Sequence, residues 1–154
     1  MSVRLTPDEA WGVLERAHTG ILTTLRRDGM PISLPMWFVV LDRTIGISAP
    51  SGTKKLARLR RDPRASFLVE SGERWADLEA VHLTGRIEMV TDDAEIARID
   101  DALDTKYAAF RTARTEMPQA TRDHYAGRTY LRLVPDDRIL SWDNRKLAKR
   151  DDGS

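Results

Sequence analysis

A chain of 154 residues with 41% hydrophobic and 32% charged side chains has the size and balance of one globular domain with its own core, here residues 1–154. Its 25 basic and 24 acidic side chains leave a net charge of +1, which argues against a nucleic-acid partner bound by wholesale phosphate neutralisation. The absence of cysteine excludes disulfides, thiolate nucleophiles and cysteine-ligated metals. No apolar run approaches the roughly 20 residues of a membrane span, so no membrane partner is expected. The N-terminus lacks a charged-then-apolar signal pattern, so the expected location is cytoplasmic.

The stretch "LTPDEAWGVLERAH" opens with a helix signal: Thr6 as cap, Pro7 at the first helical position and Glu9 to complete a capping box. Val13, Leu14 and Ala17 form its apolar stripe, His18 stands near its end and Gly20 is placed to stop it. "GILTTLRRDGMPISLPMWFVVLDRTIGISAP" reads as three strands, with a hairpin turn at Asp28-Gly29 and another turn at Asp42-Arg43. In the second strand Ile32, Leu34, Met36, Phe38 and Val40 share one face. Pro31 and Pro35 cannot donate to a ladder, which makes that strand irregular or places it at an edge.

Thr53 to Arg61 reads as a short helix with Leu56 and Leu59 inward, ended by Asp62-Pro63. "ASFLVES" and "EAVHLTGRIEMV" are two further strands joined by the loop "GERWADL". Asp92 and Asp93 sit at a helix start, and Ile96, Ile99, Leu103, Tyr107 and Phe110 follow at helical spacing as core. Residues 114–127 read as a loop, "RTYLRLVP" and "RILSWDN" as the last two strands, and the chain from about residue 144 as a polar, frayed tail. Strands dominate, so the expected class is mainly β: a small antiparallel barrel with peripheral helices.

Motif chemistry is sparse. His18, His82 and His124 have no paired metal-ligand spacing, so no metal is expected, and His82 reads as a packed or cross-strand residue. There is no GxSxG, Walker loop or GxGxxG, and no catalytic residue is marked. An enzyme built on this chain would take its hard chemistry from a cofactor. One stretch stands out, "SAPSGTKKLARLRRDPR". Ser48, Ser51 and Thr53 offer hydroxyls, Gly52 lets the backbone approach closely, and Lys54 and Lys55 stand at the positive end of the helix. The stretch fits either a phosphate cradle or a capped helix with its cations in water; Arg58 and Arg61, one turn apart, read as a solvated face.

The succession "GILTTLRRDGMPISLPMWFVV", "SAPSGTKKLARLRRDPRASFLVE", "LTGRIEMV" and "RLVPDDRILSWDNRK" resembles the pyridoxamine 5′-phosphate oxidase-like split barrels, over residues 5–147. More narrowly it is similar to the actinobacterial branch that uses the deazaflavin coenzyme F-420 (8-hydroxy-5-deazaflavin). The resemblance implies a split antiparallel β-barrel working as a homodimer, with the cofactor in a groove between protomers. Thr53, Lys54 and Lys55 take the places of the family's Ser-Arg-Lys phosphate element, and Asp62-Pro63 replaces Asn-Pro. Exchanging Arg for Lys loses a bidentate fork and keeps a point charge. Pro35, Met36 and Trp37 match the strand that lines the ring, and Trp142 would pack near the ring across the dimer interface. The alternative for Trp37 and Trp142 is barrel core or dimer interface. Trp75 would wall a substrate pocket or cover the barrel end, and Arg145 and Lys146 would meet the coenzyme's acidic tail or be tail charges.

The family's earlier Arg-x-x-x-Leu-Lys phosphate element has no match here, which favours the deazaflavin over FMN. The expected function is therefore hydride transfer from reduced coenzyme F-420 to an electron-poor double bond of a small-molecule substrate. The alternatives are an FMN-dependent oxidase or reductase, and a protein that binds a flavin, a deazaflavin or another planar ligand without turnover.

Overall fold

A computed structural model describes residues 2–112, 116, 118–120 and 127–148. Helix α1 (Pro7–Arg16) carries the full capping box: Thr6 Oγ1 accepts from Glu9 N–H, and Glu9 Oε1 accepts from Thr6 N–H. The helix ends at Arg16, four residues before Gly20, which instead opens β1 (Gly20–Leu25). Glycine is needed there for close approach. A Cβ at residue 20 would lie 2.0 Å from the ring of Phe67.

The second predicted strand divides into β2 (Pro31–Met36) and β3 (Val39–Leu41), separated by Trp37 and Phe38. The β3 turn has both Asp42 and Arg43 at positive φ, 52° and 55°, the backbone of a two-residue type I′ hairpin into β4 (Thr44–Pro50). Helix α2 (Lys54–Arg61) buries Leu56 and Leu59 and is closed by Asp62. Strands β5 (Arg64–Ser71) and β6 (Glu79–Val90) are joined by a loop with one 3-10 turn at Trp75–Asp77, and α3 (Asp93–Tyr107) starts from an Asp92 cap.

The last two predicted strands are one, β7 (Arg128–Asp143). The ladder runs through the expected break after Pro135, which sits opposite Gly85 at a register shift in the β6–β7 ladder, where a missing N–H does no harm. A Cβ on Gly85 would come within 2.2 Å of the Val134 carbonyl oxygen. The chain expected to fray from residue 144 forms a turn of helix, α4 (Arg145–Ala148). Most of the loop over 114–127, including His124, lies outside the described residues.

All pairings are antiparallel, in the order β2-β1-β5-β6-β7-β4-β3. The proline-bearing strand is thus an edge, one of the two placements its prolines allow. The two edge strands, β2 and β3, are consecutive in the chain, with only Trp37 and Phe38 between them. Three Cα–Cα steps span at most about 11 Å. The sheet therefore curls until its edges nearly meet, and the Trp37–Phe38 link crosses the seam of a split barrel. The interior holds Leu22, Phe38, Ile45, Phe67, Val81 and Leu131, closed by Trp11 and Leu14 of α1 and by Leu56 and Leu59 of α2. A second cluster, Val39, Ile99, Leu103 and Tyr107, fastens α3 over β3. Phe110, predicted as core, is 61% exposed, because α3 ends at Tyr107 and a 3-10 turn carries it off the stripe.

Candidate functional site

The chain from β4 into α2 builds a cationic cradle. Gly52 takes φ +83° with open space where a Cβ would project. Ser51 is tied to the start of β7: its N–H donates to Gly127 O at 3.0 Å, and its hydroxyl meets Thr129 Oγ1 at 2.9 Å. Thr53 occupies the N-cap of α2 but its side chain makes no capping bond, and Oγ1 is buried with no hydrogen-bond partner among the described residues. A buried hydroxyl is rarely left unmade. With no acidic residue in the first turn of α2, nothing on the helix itself neutralises its positive end.

Lys55 reaches back from α2 to Met36, its ammonium 3.5 Å from Sδ. Burial pushes the Lys55 pKa below its usual value, and the nearby positive charges of Arg58 and Arg128 push in the same direction. Lys54 beside it is exposed. Lys54, Lys55 and Arg58 form no ion pair among the described residues. Arg128, at the start of β7, donates through Nε to Ser48 Oγ and through Nη2 to Ser48 O at 3.0 Å. Arg58 and Arg128 repel Lys55 near a helix N-terminus whose capping hydroxyl is unpaired, and an anion there would relieve the repulsion and offer that hydroxyl an acceptor.

Arg58 and Arg61 are not a solvated face. Arg58 Nε donates to Thr24 Oγ1 at 2.8 Å and Arg61 Nη2 to Leu25 O at 2.9 Å, so both fasten α2 to β1.

At the seam, the indole of Trp37 stacks on Tyr107 with ring centroids 4.4 Å apart and planes 4° from parallel, and remains 36% exposed. His18 lies beyond the end of α1, not in its last turn. Its ring contacts Trp37, Tyr107 and Phe110 edge-on at 6.0, 5.3 and 4.6 Å. Lys106 lies 3.8 Å above the Phe38 ring and donates to Phe38 O at 2.9 Å; burial lowers its pKa to about 8.

The structure thus brings Met36, Ser48, Ser51, Thr53 and Lys55 together, with Trp37 next to Met36 and Pro35 on the exposed edge strand. Trp142 stands elsewhere in the protomer. It pairs with Ala80 on β6 and is separated from Tyr130, the partner of Ser48, by about 40 Å of strand path at roughly 3.3 Å per residue. Trp75, 68% exposed, is at the Trp142 end, its carbonyl accepting from Asn144 Nδ2 at 2.7 Å. Arg145 and Lys146 are engaged within the protomer: Arg145 pairs with Glu79 and Asp143, and Lys146 pairs with Glu9 at 3.0 Å. Sequence reasoning missed Arg128, Lys106 and Tyr107 as site residues. Arg128 pairs with a serine 80 positions away, and no local spacing announces that.

The sequence family described as pyridoxamine 5′-phosphate oxidase matches residues 6–138. A crystal structure of a conserved hypothetical protein from Mycobacterium tuberculosis is 30% identical, covering 94% of this chain and 88% of that one, with a TM-score of 0.79. An FAD-binding protein from Mycobacterium smegmatis shares the fold at 21% identity and TM-score 0.65, over 89% of this chain and 95% of that one. A heme storage protein from Vibrio cholerae shares it at 14% identity and TM-score 0.68, over 92% and 96%.

Proposed function

The chain belongs to the pyridoxamine 5′-phosphate oxidase family, and from that premise we propose that it is an oxidoreductase using the deazaflavin coenzyme F-420. The observation that carries this reading is Lys55, in the first turn of α2 that the orphaned Thr53 hydroxyl precedes, with the charges of Arg58 and Arg128 near it and its ammonium against Met36 of the strand that resembles the family's ring-lining strand. These groups suit a cofactor phosphate: the hydroxyl donates one hydrogen bond, the first turn of α2 offers its N–H groups, and the ammonium groups supply charge. When bound, the reduced deazaflavin supplies a hydride from ring carbon 5 to an electron-poor double bond. Thr53, Lys54 and Lys55 hold the phosphate, with Ser48 and Ser51 shaping the loop. Pro35, Met36 and Trp37 hold the ring edge.

A second copy of the chain completes the groove. On the outer face of the sheet, register places Pro35, Ile21, Leu68, His82 and Leu140 in one row across five strands, with Leu140 58% exposed. The next row is Ser33, Thr23, Ser66 and Thr84, of which the last three line a groove of about 920 Å³ that also takes in Asp136. A partly apolar sheet face beside a candidate ring site suits a homodimer, through which Trp142 of the second copy would reach the ring. Sedimentation at micromolar concentration is expected to give twice the monomer mass, and Leu140→Glu is expected to shift it to monomer. A wild-type monomer throughout the concentration range would defeat this arrangement.

The functional reading is tested by fluorescence titration of the purified protein with coenzyme F-420 and with FMN, then by anaerobic mixing of the reduced complex with quinones and enones. Tighter deazaflavin binding and oxidation of the reduced cofactor by at least one acceptor are expected. Tighter FMN binding would move the assignment to an FMN-dependent oxidase or reductase. Tight binding with no turnover would leave a cofactor- or planar-ligand-binding protein.

A further inference from the structure

The link across the barrel seam is held by groups that lie outside the family's phosphate and ring elements. Phe38 is fully buried, so its peptide N–H and C=O must be satisfied without water. As a residue between two edge strands it has no ladder partner, and α3 supplies both bonds. The Tyr107 oxygen accepts from Phe38 N–H at 2.9 Å. The same hydroxyl lies 2.7 Å from His18 O and 2.9 Å from Phe38 O, but has one proton to give. Lys106 Nζ, 2.9 Å from Phe38 O, resolves the shortage. With Lys106 on Phe38 O, the Tyr107 proton serves His18 O, and the Phe38 N–H and C=O and the His18 C=O are all paired.

The same two residues fix the side chains. The Tyr107 ring backs the Trp37 indole in parallel contact, and the Lys106 ammonium sits over the face of Phe38. Lys106 has no acidic partner among the described residues, so its placement is set by the Phe38 carbonyl and ring. Trp37 is consequently a braced aromatic surface, one face on Tyr107 and more than a third of it open.

We propose that Tyr107 and Lys106 are positioning residues for the cofactor ring, holding the Trp37–Phe38 crossing in the one shape that presents Trp37 and the adjoining end of β2 to it. This rests on the reading that Pro35, Met36 and Trp37 line the ring. It assigns to α3, whose last residue Tyr107 backs Trp37, control over ring orientation. The phosphate cradle is then anchored by α2 and β7 and the ring platform by α3, with the Lys55–Met36 and Tyr130–Asp100 contacts joining the two.

The test compares wild type with Lys106→Met, Lys106→Arg and Tyr107→Phe. Amide exchange at Phe38 is read by NMR in the cofactor-free protein, and affinity and the visible circular dichroism of the bound chromophore are read with whichever of coenzyme F-420 or FMN binds tighter. Lys106→Met is expected to keep the global unfolding transition, speed Phe38 exchange, alter the visible circular dichroism and weaken binding by about ten-fold, the loss of one net hydrogen bond to a charged group. Lys106→Arg, which can still donate to Phe38 O, is expected to restore the spectrum. Tyr107→Phe keeps the stacking but removes the acceptor of Phe38 N–H, and is expected to exchange fastest. If wild type binds and Lys106→Met matches it in exchange, spectrum and affinity, the assignment is overturned while the cofactor reading stands. If wild type binds neither chromophore, the cofactor reading itself fails and the ring role falls with it.

Discussion

Replacing Lys54 and Lys55 together by Ala is expected to weaken cofactor binding by about 10²-fold, most of it from Lys55. A hydrogen bond to a charged group contributes about 1.5–3 kcal/mol, and each 1.4 kcal/mol is ten-fold in affinity. Lys55 is partly buried against Met36, so its charge acts with little screening. Lys54 is exposed, and exposed charge pairs contribute only about 0.2–1 kcal/mol, so Lys54→Ala alone is expected to cost less than about five-fold. Raising the salt from 50 to 500 mM, ionic strengths at which the Debye length falls from roughly 14 to 4 Å, should weaken the Lys54 contribution more than that of Lys55. Fluorescence titration of both single variants and the double variant checks these values. A double variant that binds within two-fold of wild type would mean that the cations of α2 serve no anion. The cofactor-free protein should behave in the opposite sense. Lys55 is held with its charge desolvated and beside Arg58 and Arg128, so Lys55→Ala should leave stability unchanged or slightly raised in urea unfolding. A residue that destabilises its own fold in this way is the behaviour expected of a binding group.

Gly20→Ala is expected to be among the most destabilising single methyl additions in the chain, by about 1–3 kcal/mol or more, the usual cost of overpacking. The new Cβ would meet three atoms of the Phe67 ring between 2.0 and 2.7 Å. The ring cannot retreat freely. Phe67 is fully buried and packs edge-to-face on Phe38 at 4.8 Å, and Phe38 is bonded through its backbone to Tyr107 and Lys106. Phe67→Ala alone should cost about 3–5 kcal/mol through the cavity it leaves. Combining Gly20→Ala with Phe67→Leu should cost clearly less than the sum of the two single changes, because the smaller side chain makes room for the methyl group. Urea unfolding of the four proteins of this cycle measures the coupling. Strict additivity would show that Gly20 and Phe67 do not compete for the same space.

Local chemistry was legible wherever partners are near neighbours in the chain. Thr6, Pro7 and Glu9 specify the start of α1, and Asp62-Pro63 the end of α2. The hairpin at Asp42-Arg43 was placed correctly from its neighbours. Pro31 and Pro35 marked their strand as irregular or an edge because a missing N–H is tolerated at edges and bulges, and β2 is an edge. The same local rules divide β7 into two strands between Pro135 and Arg138. Pro135 is accommodated by Gly85 on another strand, and no property of residues 134–137 contains that fact. Arg58 and Arg61 were taken for a solvated face because their acceptors, Thr24 Oγ1 and Leu25 O, lie on β1 more than thirty residues earlier.

By itself, then, the sequence determined most of the helices and strands, the antiparallel class and the loop that carries Ser51, Thr53, Lys54 and Lys55, since periodicity, caps and turn residues act over a few positions. Only the tertiary structure decided that β2 and β3 are the two edges of one sheet and meet at Trp37–Phe38. It alone added Arg128 to the cradle and set Tyr107 and Lys106 behind the seam. Those contacts join residues 68 to 80 positions apart. They depend on strand order and on how far the sheet curls, and these follow from how the whole chain buries its apolar faces, which no short window of sequence contains.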